Sequence, residues 1–278
     1  MLVLTQGDEA VAADVIYLSP HLDDAALSCG GLIHRQALAG TSVLVVTIFA
    51  GSPAERVLSP FAVELHARWG HPTNAVAVRT QEDHRAMRLL GAEYLHLEYP
   101  DAIYRFDGRS FLYLNREDLV GSLHPSDLEL ARQIAACMIE ICSTQSPSIY
   151  APLGVGDHVD HQVVREAILT LRTALPSIIL YEDYPYVEVP GSLTEVLGRI
   201  GVEGWKAELQ SLDEECMSAR ISAIAAYASQ MNELFQSVEI MAGRVRDYAL
   251  ALSSEQGYAE RYWRLSRGKK IAAGRKLT

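Results

Sequence analysis

The 278-residue sequence predicts an α/β fold: a Rossmann-like, mostly parallel sheet with helices on both faces, followed by a helical C-terminal extension. Three observations predict it. Short apolar runs alternate with amphipathic stretches through the first two thirds of the chain, the pattern of strands joined by crossover helices. Two of those runs end in clusters of histidine and aspartate, at the strand ends where open parallel sheets bind ligands. From about residue 214 to about 252 the apolar spacing is helical throughout.

The elements follow in order. Apolar runs predict strands at 15–19, 42–49, 94–97, 148–151 and 178–182. Helical patterns fill the gaps at about 25–38, 79–90, 128–144 and 159–174. Ser126, just after Pro125, is a candidate cap for the helix starting at Asp127, and Gly91 is a candidate stop for the helix carrying Met87, Leu89 and Leu90. Right-handed crossovers are the rule for such connections. Two segments break the alternation: 100–126 is long and aromatic, and 184–204 carries Pro185, Pro190 and several glycines. Connections of that length are often functional. Tyr104, Tyr113 and Tyr186 lie in these segments, and the aromatic stretch 104–114 is a candidate sugar platform, an oligomer contact, or ordinary loop packing. No internal repeat is evident. The chain reads as one domain over 1–278, with a core over about 1–183 and a loop and helical part over about 184–278.

Composition narrows the partners. With 49% hydrophobic and 21% charged residues the chain suits a globular protein with a sizeable core. A net charge of −11 argues against nucleic acid, and the basic stretch from Arg267 to Lys276 reads as a solvated tail. The first residues, MLVLTQGDEAVAAD, lack the basic and apolar regions of a signal peptide, and no apolar run approaches the roughly 20 residues that cross a bilayer. The four cysteines, Cys29, Cys137, Cys142 and Cys216, show no paired spacing, so the expectation is a reducing compartment, the cytoplasm. A homo-oligomer stays open.

Two clusters carry the chemistry. The first is His21-Leu-Asp-Asp24, directly after the strand 15–19. The second is Gly156-Asp-His158-Val-Asp160-His161, following the strand 148–151. Carboxyl ends of parallel strands share one sheet edge, so the two can meet in one pocket. Zinc accepts imidazole nitrogen and carboxylate oxygen, and a catalytic site has three protein ligands and one water. His21 and Asp24, three residues apart at a helix start, can both reach a metal, and His161 can supply the third ligand. Asp23 then points elsewhere and can take a proton from the metal's water. His158 can stabilise an oxyanion or protonate a leaving amine, with Asp160 hydrogen-bonding His158. Each pair alone is more often a helix cap or a solvated face; Asp23 and Asp24 are natural first-turn residues, and His158 can cap the helix beginning near Val159. Gly30 and Gly31 lack a nucleotide-binding spacing and read better as close packing. The isolated histidines, His34, His66, His71, His84, His96 and His124, read as surface or locally bonded residues.

These residues also carry a resemblance. SPHLDDAALSCGG (19–31) and GDHVDHQVV (156–164) resemble the two signatures of the zinc-dependent N-acetylglucosaminyl deacetylase family of the LmbE/PIG-L type. VRTQEDHRAMRLLGAEYLHLEYPD, ARISAIAAYASQ and GYAERYW resemble weaker family blocks, so the match covers most of the chain. The resemblance implies a Rossmann-like sheet, a divalent metal (usually zinc, with ferrous iron an alternative) and removal of acetyl from an amino-sugar conjugate. By matching position, His21, Asp24 and His161 resemble the metal ligands, Asp23 the general base, and His158 the protonated partner with Asp160 as its orienter. Arg79 matches a substrate-contacting arginine, and Asp101 lies where some relatives bind the sugar. Leu22, Ala25 and Val159 depart from the family pattern, and none is a proposed ligand or proton carrier; Gly156 stands where some relatives carry a tyrosine, so phenolic help would have to come from elsewhere, from Tyr104, Tyr113 or Tyr186. Two other functions stay open: an amidase for a larger thiol or acyl amide conjugate, and a catalytically silent sugar-binding protein. The retained Asp23 and His158 argue against the latter, because binding alone needs neither.

Overall fold

Residues Val15–Ser19 (β1) are buried along their whole length, as a central strand covered on both faces must be. Side chains alternate across the sheet: Val15 and Tyr17 enter one apolar cluster, Ile16 and Leu18 the other. Val43–Thr47 (β2) repeats the arrangement, with Val43 and Val45 on the first face and Leu44 and Val46 on the second. The computed structural model describes residues 13–53, 58–71, 73–142, 146–175, 177–201, 204–253 and 257–265. The N-terminal stretch through Ala12 and the basic stretch from Arg267 lie outside the described residues.

The other strands are Glu93–His96 (β3), Ser148–Pro152 (β4), Ile178–Tyr181 (β5), Trp205–Leu212 (β6) and Tyr258–Leu265 (β7). Together they form a seven-stranded sheet of order β3-β2-β1-β4-β5-β7-β6. The first five strands pair in parallel, and β7 and β6 close the sheet antiparallel. Helices Asp24–Leu38 (α1), Ala75–Leu90 (α3) and Glu214–Ala225 (α8) cover one face. Pro125–Ile141 (α5) and Val159–Thr170 (α6) cover the other. Shorter helices Pro60–Arg68 (α2), Arg116–Leu119 (α4), Ser192–Ile200 (α7) and Ala228–Leu234 (α9), with Val238–Leu252 (α10), complete the set. Among the described residues no helix is long and apolar enough to cross a membrane.

Local expectations hold with two changes. Gly91 ends α3 with φ 74°, the left-handed conformation that favours glycine. The cap of α5 is His124 and not Ser126: Pro125 takes the first helical position, and His124 Nδ1 accepts from Ser126 N at 3.2 Å. The C-terminal part carries its expected helices, α8 to α10, and also two strands. In β6 the middle residues are solvent-facing on both sides, as an edge strand allows, so its pattern lacks the apolar run that betrays β1.

The C-terminal part grips α1 through a buried ion pair. Arg220 of α8 lies 3.3 Å from Glu260 of β7, and Glu260 accepts the backbone N–H groups of Gly31 and Leu32 at 2.9 and 3.1 Å. Gly30 and Gly31 make room for this. A Cβ on Gly30 would lie 2.9 Å from Arg220 Cγ, and one on Gly31 would lie 2.4 Å from Leu212 Cδ1. All four cysteines are free and buried.

Candidate metal and catalytic site

β1 is flanked by β2 on one side and β4 on the other, so the chain's direction of winding reverses between β1 and β4. A crevice opens at the carboxyl ends of such a pair. Both polar clusters sit there. After β1, the Ser19 hydroxyl donates to His21 O at 2.6 Å and accepts from Ala25 N at 3.0 Å, folding the turn that presents His21, Asp23 and Asp24. After β4, the loop reaches His158, which caps α6: its Nδ1 accepts from Asp160 N at 3.2 Å. Asp24 opens α1, and Asp160 and His161 lie in the first turn of α6.

The three ligand candidates converge. Asp24 Oδ2 lies 3.1 Å from His21 Nδ1 and 3.3 Å from His161 Nε2. His21, His158 and His161 each offer a ring nitrogen within 4.8 Å of the others. His161 Nε2 is buried and makes no well-formed hydrogen bond, which is costly unless something else uses its lone pair. A divalent metal fits this observation: two imidazole nitrogens and one carboxylate are a donor set zinc accepts.

Carboxylates hold the far side of both rings. His161 Nδ1 bonds Asp183 Oδ1 at 2.6 Å, and Asp183 Oδ2 accepts from Val155 N at 2.8 Å. His21 Nε2 bonds Asp160 Oδ2 at 2.9 Å. Such partners fix the ring and leave the other nitrogen free for a metal. Asp160 therefore does not make the expected side-chain bond to His158. Its carboxylate also accepts from Ala102 N at 3.0 Å and from Arg105, which is itself 3.1 Å from Asp127 and stacked over Phe49. These donors draw the Asp160 carboxylate away from the His158 ring. Asp183 and Arg105 escape the sequence reading because each stands outside the two clusters.

Asp23 is 7% exposed and lies beside Arg79, with Oδ2 3.4 Å from the guanidinium. Burial pushes its carboxyl up to about 7, with Arg79 opposing and Asp24 adding to the rise. Arg79 is thus held against Asp23 on one side and over the Trp69 ring on the other, 5.0 Å from its centroid. Asp101 caps a short turn, accepting from Ile103 N at 3.1 Å, with its other oxygen 3.8 Å from His21 Nε2. Burial lifts Asp101 above the usual carboxylate range. Burial also pushes His158 down to about 3, with positive charge on His21 adding to the effect. Its Nδ1 takes a backbone N–H, so the proton of neutral His158 sits on Nε2. Neutral His158 can therefore donate a hydrogen bond from Nε2.

A cavity of about 370 Å³ opens over these groups. All the candidate residues except the buried Asp160 and His161 line it. The long segment 100–126 supplies Asp101, Ile103, Arg116, Leu119 and Val120, and the segment 184–204 supplies Tyr186. The aromatic stretch 104–114 is not the platform: Tyr104 bonds His66 at 2.5 Å and Tyr113 bonds Asp127, both turned inward. The aromatic wall is instead Phe61, Trp69 and Tyr186. Of the isolated histidines, His84 stacks on both Tyr94 and His96, and His96 bonds Asp83 at 2.7 Å, consistent with local bonding.

Comparison with known proteins gives a single picture. The PIG-L family model, described as GlcNAc-PI de-N-acetylase, matches residues 16–171. A 2'-N-acetylparomamine deacetylase of Niallia circulans is 26% identical over 234 residues, covering 79% of this chain and 82% of that protein. A deacetylase of the teicoplanin biosynthesis pathway superposes with a TM-score of 0.80 at 29% identity, over 92% of this chain and 99% of that one. The zinc-inhibited form of a teicoplanin deacetylase superposes with a TM-score of 0.77 at 29% identity and the same coverage.

Proposed function

The chain belongs to the PIG-L family, and on that premise we propose that it removes the acetyl group from an N-acetylglucosamine-type amino-sugar conjugate, with zinc held by His21, Asp24 and His161. The observation that supports the reading is the approach of these three side chains from two distant segments, with Asp23 beside them and His161 Nε2 without a well-formed hydrogen bond. When bound, zinc supplies a water of lowered pKa and polarises the acetyl carbonyl.

The chain's own residues do the rest. Asp23 takes a proton from the attacking water and delivers it to the amide nitrogen as the C–N bond breaks. The products are acetate and the free amine. His158 Nε2–H donates to the carbonyl oxygen as negative charge grows on it. Asp160 and Asp183 orient His21 and His161. Arg79 orients Asp23, and Asp101, which lines the cavity, accepts from a sugar hydroxyl.

The cavity wall favours a conjugate with an apolar part over a free sugar. Phe61, Leu65, Leu119, Val120 and Leu234 line it beyond the polar floor. The same wall supports the second reading, an amidase for a larger acyl amide. We place the protein in the cytoplasm, a reading supported by its four unpaired cysteines.

Acetate release from N-acetylglucosamine and from its aryl glycosides tests the proposal. Turnover is expected with zinc, lost on chelation and restored by added zinc. Asp23→Asn is expected to lower kcat by about 10²–10⁴-fold while zinc stays bound. Full turnover after chelation, or in Asp23→Asn, would overturn the proposal.

A further inference from the structure

The cavity has a buried polar floor and a charged mouth. Asp23 and Asp24 are buried, whereas the Arg116 side chain is 55% exposed, so Arg116 stands where the cavity meets solvent. One carboxylate joins three helices there. Glu233 of α9, which also lines the cavity, pairs with Arg116 of α4 through Oε1 and with Arg68 of α2 through Oε2, the latter at 2.8 Å. The same three helices carry the apolar wall: Phe61 and Leu65 on α2, Leu119 on α4 with Val120 next to it, and Leu234 on α9.

Each helix has an anchor of its own. Asn115 caps α4, accepting from Asp118 N at 2.8 Å, and Asp118 accepts in return from Leu114 N at 2.8 Å. Ser59 caps α2, accepting from Ala62 N at 3.0 Å. The start of α9 is held by the buried Glu82 of α3, which accepts from Ser229 N at 2.8 Å and from the Ser229 hydroxyl at 2.6 Å. The bridge is thus added to a wall that has other supports. It is also readily opened, since an exposed ion pair contributes at most about fivefold and is screened by salt.

The size of the cavity gives the bridge its meaning. At about 370 Å³ it lies at the small end of ligand pockets, which span roughly 300–1,000 Å³. An amino sugar with a short conjugate group takes up most of that space. A longer apolar group that follows the wall reaches the mouth, where Glu233 meets Arg116. We propose that Glu233 is a specificity-determining residue: its bridge from Arg116 to Arg68 closes the mouth and sets the length of the conjugate group that the enzyme accepts. Short groups fit behind the closed bridge, and long ones require it to open. The proposal rests on the deacetylase reading above.

The test uses the zinc-loaded full chain, native and Glu233→Gln, which removes the charge and keeps the volume. Acetate release is measured from the methyl and hexyl glycosides of N-acetylglucosamine. Each is assayed in about 0.05 M and about 0.5 M sodium chloride, the latter enough to screen the bridge. At low salt the ratio of kcat/KM for the hexyl over the methyl glycoside is expected to rise by about 2–25-fold in Glu233→Gln, the worth of two exposed ion pairs. Salt should raise the native ratio toward that of Glu233→Gln and move the variant's ratio less. A variant ratio that falls, or rises by less than about twofold, would overturn the role of Glu233 and leave the deacetylase reading intact. Equal salt responses in the two chains would do the same. A native chain that releases no acetate from either glycoside would overturn both.

Discussion

Replacing Asp183 by asparagine probes the least obvious support of the site. Asp183 has two oxygens and two buried donors to satisfy: His161 Nδ1–H at 2.6 Å and Val155 N–H at 2.8 Å. Asparagine has one acceptor oxygen, so one donor loses its partner. A buried donor left unsatisfied costs about 1–3 kcal/mol. The unfolding midpoint of the metal-free chain should therefore fall by roughly 3–9 °C. The second effect is on the metal. A carboxylate behind a ligating histidine raises the ring's basicity, and losing such a partner costs about 10–100-fold in metal affinity, or about 1.4–2.7 kcal/mol. Chelator competition on the purified full chain reads the zinc dissociation constant, and calorimetry reads the midpoint. An affinity within twofold of native, in a chain whose midpoint has dropped, would show that Asp183 holds the loop and not the ligand. An unchanged midpoint would refute the hydrogen-bond accounting as well.

Two further outcomes follow from the geometry. Gly31→Ala places a Cβ 2.4 Å from Leu212 Cδ1 and 2.9 Å from Glu260 Oε1, so denaturant unfolding should show a loss of about 1–3 kcal/mol, and native stability would mean that the α1–β7 contact is slack. The pH dependence of the metal-free chain has a definite sign. Burial works against charge on His161, but Asp24 and the Asp183 hydrogen bond outweigh it and raise the ring to about 9, against about 6.5 unfolded. Its stabilisation of about 3 kcal/mol is complete below pH 6.5 and fades as the pH rises through 9. Urea midpoints across pH 6 to 10 should fall in the native chain and fall less in Asp183→Asn; a flat native profile would contradict the coupling.

Much of the frame is legible in the sequence because β1, β2, β4 and β5 are buried on both faces. Burial on both faces requires a continuous apolar run, and such runs can be read without any partner information. β6 and β7 escape for the converse reason. The middle of β6 meets solvent, and β7 mixes glutamate and arginine with its aromatic residues, so neither presents such a run. Their role becomes visible only when Glu260 is seen capping the backbone of Gly31 and Leu32, more than two hundred residues earlier.

The site divides along the same line. His21, Asp23, Asp24, His158, Asp160 and His161 are legible because polar groups crowd two strand ends. Asp183 follows the end of β5, with Glu182, so the same strand-end rule extends to it; the signal is one carboxylate pair without a histidine. Arg105 has no local signal at all. Its place between Asp160 and Asp127 depends on the path of the long segment after Pro100, which no periodicity encodes. The partner of Asp160 is likewise beyond reach. Spacing sets it two residues from His158, while the tertiary fold sets it against His21 and Arg105.

The most direct measurement is the position of the metal. Crystals of the zinc-loaded chain, recorded at the zinc absorption edge, should show one anomalous peak at about 2.0–2.2 Å from His21 Nδ1, an Asp24 oxygen and His161 Nε2, with Asp23 outside bonding distance. A peak that omits any of those three side chains, or that takes Asp23 as a ligand in their place, would contradict the assignment of ligands and base together.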